Sequence, residues 1–356
     1  MARLGGLLDR RLLGLAALLV TTPSLPAQAV DAPARVIRAR FLMGTIFRFE
    51  APAGGDSVAS SLESALDEVQ RLELILSNWN QESELSRLNA RAGKGATRVS
   101  GELFAAVDSA LRWARKTGGA FDPTVEPLTR LLRSGNSIPG PTSAAGPVRG
   151  PGQRVRWKEI VLDPVAGTVE IPAGGGLDLG GIGKGIALDR AARILSAGGI
   201  HNVLLDAGGQ ILAVGSPPGE RGWRVALADP ADRQEPAYTL LLRDISMATS
   251  GNSERPGEIV DPATDRIVAG RYTATSFAAD ATAADALSTS LFVMGPQAGA
   301  QWARQRTDVL ALYLDSPVEG GPPRASGTLT PPAPGHSLEV SATWNRDRGR
   351  LHAENR

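Results

Sequence analysis

The residues best suited to chemistry lie in a glycine-rich segment at 178–189, which reads Asp-Leu-Gly-Gly-Ile-Gly-Lys-Gly-Ile-Ala-Leu-Asp. Glycines that lead into a helix leave backbone N–H groups bare, and the helix dipole favours an anion at that end. Lys184 adds a positive charge. The segment therefore predicts a site for a phosphorylated ligand, although a purely structural strand-to-helix turn accounts for the same glycines.

The segment differs from a Walker A loop, the best-known glycine-rich phosphate site. That motif needs glycine five residues before its Gly-Lys pair and a hydroxyl residue directly after it. Those positions hold Asp178 and Gly185. Asp178 also has a structural alternative, because aspartate is a common N-cap of helices.

The first residues have the features of an export signal. A basic start that includes Arg10 and Arg11 precedes a short apolar run at 12–20, and a small-x-small cleavage site ends at Ala29. This arrangement predicts a signal peptide at 1–29 and an exported protein, periplasmic or otherwise extracytoplasmic. The apolar run is short for a membrane span, so an uncleaved anchor is the weaker alternative. The arginine pair does not separate the Sec route from the twin-arginine route.

Composition excludes several kinds of site. The chain of 356 residues has no cysteine, three histidines and a net charge of +1, which excludes disulfides, thiolate metal sites, lipid-modified cysteines and histidine-rich metal sites. The near-neutral charge gives no sign of a nucleic-acid-binding surface. Any metal would be held by oxygen ligands, which favours Mg²⁺ or Ca²⁺.

Hydrophobic periodicity and turn residues outline one domain at 36–315. The pattern predicts helices at about 57–76, 101–117 and 283–294 and another from the glycine segment to 196, with strands at about 41–50, 159–162, 168–171, 202–206, 210–214, 223–228 and 238–242. Because the order is not a strict βαβ alternation, we expect an α+β fold, a single layered domain of mixed, largely antiparallel sheets flanked by helices.

Two stretches rich in proline and glycine lie outside these elements. One is a loop or linker at 134–153, and the other is a C-terminal extension at 316–356. We expect poor order at 316–335 and one short strand at 337–342.

Short motifs in a fixed order give the chain a specific resemblance. They are Met43-Gly44-Thr45, Ser-Asn-Trp at 77–79 followed by Glu-Ser-Glu-Leu-Ser-Arg-Leu-Asn at 82–89, Gly-Ala-Phe-Asp-Pro-Thr at 119–124, the glycine segment, Asp-Ala-Gly-Gly at 206–209, Ala-Thr-Ser-Gly at 248–251, Ile-Val-Asp-Pro at 259–262 and Ala-Asp-Ala-Leu-Ser-Thr at 284–289. In these motifs the chain resembles the ApbE family of FAD:protein FMN transferases. The resemblance implies a T-fold-like domain that cleaves FAD with Mg²⁺, attaches FMN through a phosphoester to a Thr or Ser of a partner flavoprotein, and releases AMP.

The resemblance also implies which residues form the site. The positions that match FAD contacts are Met43, Trp79, Ala120, Phe121, Asp122, Asp178, Lys184 and Val260. Asp285 and Thr289 match the side-chain ligands of Mg²⁺, and a main-chain carbonyl ligand falls at Gly181. Asp285 and Thr289 are four residues apart on a predicted helix, so both project from one face. The alternative for Asp285 is a capping box with Thr282.

Three positions depart from the family pattern. Glu258 stands where the family usually has histidine, Asp265 replaces a glycine, and Gln210 replaces an aspartate. A partly buried Glu258 with a raised pKa could accept the proton of the acceptor hydroxyl, and Asp285 is the other candidate base. The catalytic candidates are thus Asp285, Glu258 and Lys184, and an exposed Glu258 without a role remains an alternative.

The expected partners are FAD and an acceptor flavoprotein with a surface Thr or Ser. Neither nucleic acid nor an integral membrane segment after signal cleavage is expected, and any membrane association would run through the acceptor. The alternatives to a transferase are a Mg²⁺-dependent FAD pyrophosphatase that yields FMN and AMP, and a catalytically silent flavin-binding protein. In the simplest alternative for the ring-contacting positions, Met43, Trp79 and Phe121 are ordinary core residues.

Overall fold

The computed structural model describes residues 34–134, 157–232, 234–252, 257–315, 323–328 and 337–341. The predicted signal peptide at 1–29, almost all of the linker and much of the C-terminal extension lie outside these residues.

Six α-helices and sixteen strands form within the described ranges. The helices are α1 Asp56–Leu76, α2 Glu84–Asn89, α3 Gly101–Lys116, α4 Glu126–Arg133, α5 Gly183–Ala197 and α6 Ala281–Arg304. The strands are β1 Arg35–Leu42, β2 Thr45–Pro52, β3 Thr97–Arg98, β4 Val161–Asp163, β5 Thr168–Glu170, β6 Val203–Ala207, β7 Ile211–Val214, β8 Trp223–Ala228, β9 Pro236–Arg243, β10 Ile245–Gly251, β11 Val260–Asp261, β12 Arg266–Ile267, β13 Tyr272–Ala278, β14 Leu310–Asp315, β15 Arg324–Thr328 and β16 Ser337–Ser341. Of the helices in these ranges, none has both the length and the apolar composition to cross a membrane.

A large antiparallel sheet organises the fold. Its eight strands lie in the order β1-β2-β6-β7-β10-β13-β14-β15. On one face, α5 packs between α1 and α6, and α6 lies against β10 and β13. The sheet β16-β9-β8 covers the other face, where Trp223 shares a core cluster with Met247 and Phe277. This confirms the layered α+β fold predicted from the sequence.

The strand prediction is wrong at several places for identifiable reasons. The pattern does not predict β10, β13 or β14. β14 is buried on both faces and reads Leu-Ala-Leu-Tyr-Leu before its last residue, so no alternation of apolar and polar residues marks it. In β10 and β13 the buried residues include Ser or Thr, so the apolar content of the sequence does not reveal how deeply these strands are buried. The single strand predicted at 41–50 is a hairpin, β1 and β2, that turns at Met43 and Gly44. Both residues have a positive φ, 50° and 77°, as the two central residues of a tight hairpin turn need.

The C-terminal extension contributes to the sheets. β15, inside the stretch expected to be poorly ordered, pairs with β14 at the end of the large sheet. The strand expected at 337–342 forms as β16 and pairs with β9. The extension is therefore structured in these two segments.

The last helix continues beyond the end predicted for it. The pattern predicts a helix at 283–294 closed by Gly295-Pro296, whereas α6 runs on to Arg304 with a kink. At the kink, Gly295 has φ 75° and ψ 169°, which only glycine adopts readily. The first part, which carries the candidate metal ligands, matches the prediction.

Two tyrosine hydroxyls bind the carbonyls beside the kink. Pro296 has no N–H, so the Phe292 carbonyl has no helical donor. The Tyr272 hydroxyl donates to this carbonyl at 2.8 Å, and the Tyr313 hydroxyl donates to the Leu291 carbonyl at 2.8 Å. Burial raises the pKa of Tyr272 to about 12, so the hydroxyl stays protonated and remains a donor near neutral pH.

Removing either hydroxyl should destabilise the protein. We expect Tyr272→Phe and Tyr313→Phe each to lower the free energy of unfolding by about 1–3 kcal/mol, because a carbonyl beside the kink loses its donor. Urea unfolding monitored by circular dichroism measures the change. Tyr238→Phe is the control, since Tyr238 is buried and its hydroxyl has no hydrogen-bond partner among the described residues. An equal loss in all three variants would contradict the role of the two hydroxyls.

Candidate active site

The glycine-rich segment forms a turn that leads directly into α5. The Asp178 carboxylate accepts a hydrogen bond from the Gly180 N–H at 2.8 Å, so Asp178 shapes the turn and does not cap the helix. The N-cap residue of α5 is Ile182, whose apolar side chain makes no capping hydrogen bond. The helix end is therefore open to a group from elsewhere in the fold.

Asp285 on α6 is the group that reaches this helix end. One carboxylate oxygen accepts the Gly185 N–H at 3.0 Å, and the other lies 3.5 Å from the Lys184 ammonium. The residue is only 3% exposed. A carboxylate at a helix N-terminus is stabilised by the N–H groups and the dipole. The Gly185 N–H is thus bound within the protein. The segment therefore has one bare N–H group fewer for a phosphate than its glycines predict.

The capping-box alternative for Asp285 is not formed. Asp280 caps α6 by accepting the Ala283 N–H at 2.7 Å. The Thr282 hydroxyl donates to Asp189 at 2.5 Å and not to its own helix. Asp285 therefore faces α5.

Three side-chain features determine where α5 and α6 cross. Asp189 accepts the N–H groups of Ala281 at 2.8 Å and Thr282 at 2.9 Å. A Cβ at Gly185 would overlap the Ala281 carbonyl, and the Gln210 amide donates to that carbonyl at 3.0 Å. Burial raises the pKa of Asp189, with the hydrogen bonds from Thr282 and Ala281 opposing the shift. The sequence motifs did not identify the role of Asp189. The signal that the sequence offers for it is a carboxylate placed one helical turn after Gly185.

Thr289 lies one turn further along α6 and faces the glycine turn. A Cβ at Gly181 would lie 3.0 Å from Oγ1 of Thr289 and 3.2 Å from the ring of Phe121. Within the described part of the chain, the Thr289 hydroxyl makes no hydrogen bond. The junction of α5 and α6 therefore brings together Asp285, Thr289 and Gly181, the three predicted metal ligands.

The run Ala120-Phe121-Asp122 packs beside the glycine turn. The Asp178 N–H donates to the Pro123 carbonyl at 2.7 Å. Phe121 and Asp122 are buried, and Ala120 is half-buried. The Asp122 carboxylate accepts hydrogen bonds from the N–H and the hydroxyl of the residue two positions on, so it holds the shape of this loop.

Arg133 contacts both Trp79 and Asp178. The Arg133 guanidinium carbon lies 5.2 Å from the centroid of the Trp79 ring, and a guanidinium nitrogen lies 3.6 Å from Asp178 Oδ2. Trp79 is 64% exposed, so it is not a core residue. Sequence reasoning did not identify Arg133, because no motif includes it.

Met43 and Val260 come from two other parts of the fold. Met43 lies in the β1–β2 turn, where its N–H donates to a carboxylate oxygen of Glu73 at 2.9 Å. A positive φ is uncommon for a residue with a bulky side chain and marks a local constraint. Val260 is buried in β11 and packs against Leu128 of α4.

Glu258 does not meet the condition set for its role as a base. Its side chain is exposed, whereas that role requires partial burial. Asp265, which replaces a family glycine, lies between β11 and β12 with φ 60°. This left-handed conformation is one that aspartate tolerates better than most residues, so aspartate can occupy this turn position in place of glycine.

Known proteins resemble this chain along most of its length. The model of the ApbE family matches residues 43–314. A FAD:protein FMN transferase of Treponema pallidum (strain Nichols) is 32% identical over 304 residues, which cover 78% of this chain and 83% of that protein. Another, of Klebsiella pneumoniae (strain 342), is 29% identical over 313 residues, which cover 83% of this chain and 86% of that protein.

Solved structures share the fold. An ApbE protein from Thermotoga maritima matches with a TM-score of 0.69 and 26% identity, covering 79% of this chain and 94% of that one. The H257G mutant of the flavin transferase ApbE from Vibrio cholerae matches with a TM-score of 0.67 and 26% identity, covering 82% and 97%. Since the family model spans most of the chain and the relatives and structures agree with it, this protein belongs to the ApbE family.

Proposed function

We propose that this protein is a Mg²⁺-dependent FAD:protein FMN transferase. It cleaves FAD, attaches FMN through a phosphoester to a Thr or Ser of a partner flavoprotein, and releases AMP. The observation that carries the proposal is the buried Asp285, which lies at the N-terminus of α5 beside Lys184, with Thr289 one turn away against the glycine turn. The names of the relatives support the same activity.

The donor set at the junction of α5 and α6 fits a magnesium ion. Mg²⁺ binds few protein oxygens and keeps positions for water and substrate phosphate. The Asp285 carboxylate, the Thr289 hydroxyl and the Gly181 carbonyl would hold it. When bound, the ion would supply neutralisation of the charge on the phosphates.

Lys184, which lies beside Asp285 at the junction, would bind the phosphates of FAD. Its ammonium lies 3.5 Å from the Gly180 carbonyl and 3.5 Å from Asp285, so it is already held among oxygen atoms. Both contacts are long for a charge-assisted hydrogen bond, which leaves the ammonium able to turn towards a phosphate.

Transfer is a displacement at the phosphorus of the FMN half. The oxygen of the acceptor hydroxyl bonds to this phosphorus as the bond to the AMP oxygen breaks, AMP leaves with the electron pair, and the hydroxyl proton passes to a base. Of the two carboxylates considered, Asp285 lies at the junction and Glu258 is exposed. We therefore assign the proton to Asp285.

A FAD pyrophosphatase is the second candidate, and the departure at Glu258 favours it, because an exposed glutamate stands where the family usually has histidine. If no acceptor hydroxyl is bound, water can attack the same phosphorus, with its proton passing to Asp285, and give free FMN and AMP. The two activities share the binding site and differ only in the nucleophile.

Replacing Asp285 tests the site. We expect Asp285→Asn to lower FMN transfer about a hundredfold or more, because the amide keeps an oxygen for the Gly185 N–H but loses the charge. Incubation with FAD, Mg²⁺ and a candidate acceptor should give a fluorescent protein band for the wild type, with AMP measured in parallel.

The control is Asp280→Asn, the same change at the N-cap of α6, where asparagine also caps well; it should keep the wild-type rate. AMP release without an acceptor, and no labelled band across several acceptor types, would identify the pyrophosphatase. FAD binding without turnover, unchanged in Asp285→Asn, would identify a silent flavin-binding protein.

Thr289 provides a test of the metal site. Thr289→Val keeps the shape of the side chain but removes the hydroxyl, and we expect the Mg²⁺ concentration for half-maximal AMP release to rise about tenfold or more. Thr289→Ser should remain near the wild type. The Mg²⁺-dependent rise in the unfolding temperature gives a second readout, and an unchanged Mg²⁺ dependence in Thr289→Val would exclude this hydroxyl as a ligand.

We further propose that the protein is exported, on the basis of its N-terminal sequence. Expression of the full chain in a Gram-negative bacterium should give a periplasmic protein that begins at Val30, after cleavage behind Ala29. N-terminal sequencing of the periplasmic fraction measures this. A full-length protein that stays in the cytoplasm would contradict it.

A further inference from the structure

Arg133, the last residue of α4, connects three features of the site. Its side chain is 16% exposed, and its nitrogens lie 3.3 Å from Glu126 Oε1, 3.2 Å from Thr129 Oγ1 and 3.6 Å from Asp178 Oδ2. Its guanidinium also lies over the ring of Trp79. One side chain thus joins a buried carboxylate, the glycine turn and an exposed indole.

Glu126 anchors this arrangement and has no part in the proposed chemistry. It is 4% exposed, and its Oε2 has no hydrogen-bond partner among the described residues. A Cβ at Gly176 would overlap this oxygen, so the glycine makes room for the carboxylate. A buried carboxylate is costly without a cation, and Arg133 is closer to it than Arg130, whose nitrogen lies 3.8 Å away.

The spacing on α4 directs these groups to one side. Residues 126, 129, 130 and 133 recur every three or four positions, so they lie on neighbouring positions of one helical face. The Thr129 hydroxyl donates to Asp178 Oδ2 at 2.6 Å. The glycine turn is therefore tied to α4 by Thr129 and again by Arg133.

The contact with Trp79 leaves most of the indole accessible. A guanidinium over an indole ring restrains the ring through a cation–π interaction. Because Trp79 remains 64% exposed, a flat ring of a ligand can still stack on it. An exposed tryptophan without such a restraint would lose side-chain freedom when a ligand stacks, which weakens binding.

We propose that Arg133 is a positioning residue of the FAD site: Glu126 and Asp178 hold its guanidinium, which orients the Trp79 indole for stacking against a ring of FAD. This inference rests on the proposed function and adds a residue that lies outside the sequence motifs. It predicts an effect on FAD binding rather than on the phosphoryl-transfer step.

The test is FAD binding by Arg133→Met, measured by quenching of flavin fluorescence. We expect the Kd for FAD to rise about three- to tenfold, the range for loss of one cation–π contact, and KM for FAD to rise with kcat retained. Arg130→Met is the matched control, because Arg130 lies on the same helix, is 57% exposed and is farther from Glu126; its Kd should equal that of the wild type.

A double-mutant cycle separates positioning from general structure. If Arg133 acts through the indole, Arg133→Met should not weaken FAD binding further in a Trp79→Leu background. Effects that multiply would overturn the proposal. Arg133→Lys is the second variant in case the first does not fold, and it should also weaken binding, because lysine lacks the planar fork that stacks on the ring and binds two carboxylates.

The outcomes also separate this inference from the proposed function. FAD binding by the wild type that Arg133→Met and Arg133→Lys leave unchanged would overturn the role of Arg133 alone. Absence of FAD binding by the wild type would overturn the proposed function, and the inference with it.

Discussion

The candidate site depends on how closely α5 and α6 cross. Because Gly185 has no side chain, the first turn of α5 lies against the backbone of Ala281. This approach brings the Gly185 N–H to the Asp285 carboxylate, and Asp189 fastens the crossing one turn further along α5. The charged groups at the junction, Lys184 and Asp285, face each other because two helix backbones are nearly in contact.

The strands beneath α6 also allow a close approach, here between the helix and the sheet. The strands that face the helix present small residues, among them Ala248 and Ala274, in the core cluster of α6. Small hydroxyl residues add direct bonds to the helix: Ser250 to the Ser288 hydroxyl at 2.9 Å, and Ser276 to the Ala284 carbonyl at 2.6 Å. Larger side chains on these strands would push α6 away from the sheet and shift Asp285 relative to α5.

Short sequence patterns predict the elements whose ends depend on neighbouring residues. The helix predicted at 101–117 ends at Lys116, and Gly118 and Gly119, both with positive φ, follow it closely, which agrees with the preference for glycine just after a helix end. The sequence does not predict β10, β13 and β14, because these strands are buried on both faces and their buried positions carry either a continuous apolar run or a mixture of apolar residues with Ser and Thr. For the site, motifs identified Asp285 and Thr289, but spacing could not show that Asp285 faces α5, whose Gly185 is 100 positions away. The role of Arg133 is not predictable from motifs for the same reason, since its partner Asp178 lies in another segment of the chain.

The missing side chain at Gly185 has a consequence for how such a sequence can change over time. The atoms that a Cβ would meet belong to the backbone of α6 and not to a flexible side chain, so no rotamer change at a neighbour can make room. A larger residue at 185 is compatible with the fold only if α6 moves, and that movement separates Asp285 from the N–H it accepts. A substitution at position 185 and the loss of the Gly185 N–H bond to Asp285 are therefore coupled through the backbone of α6.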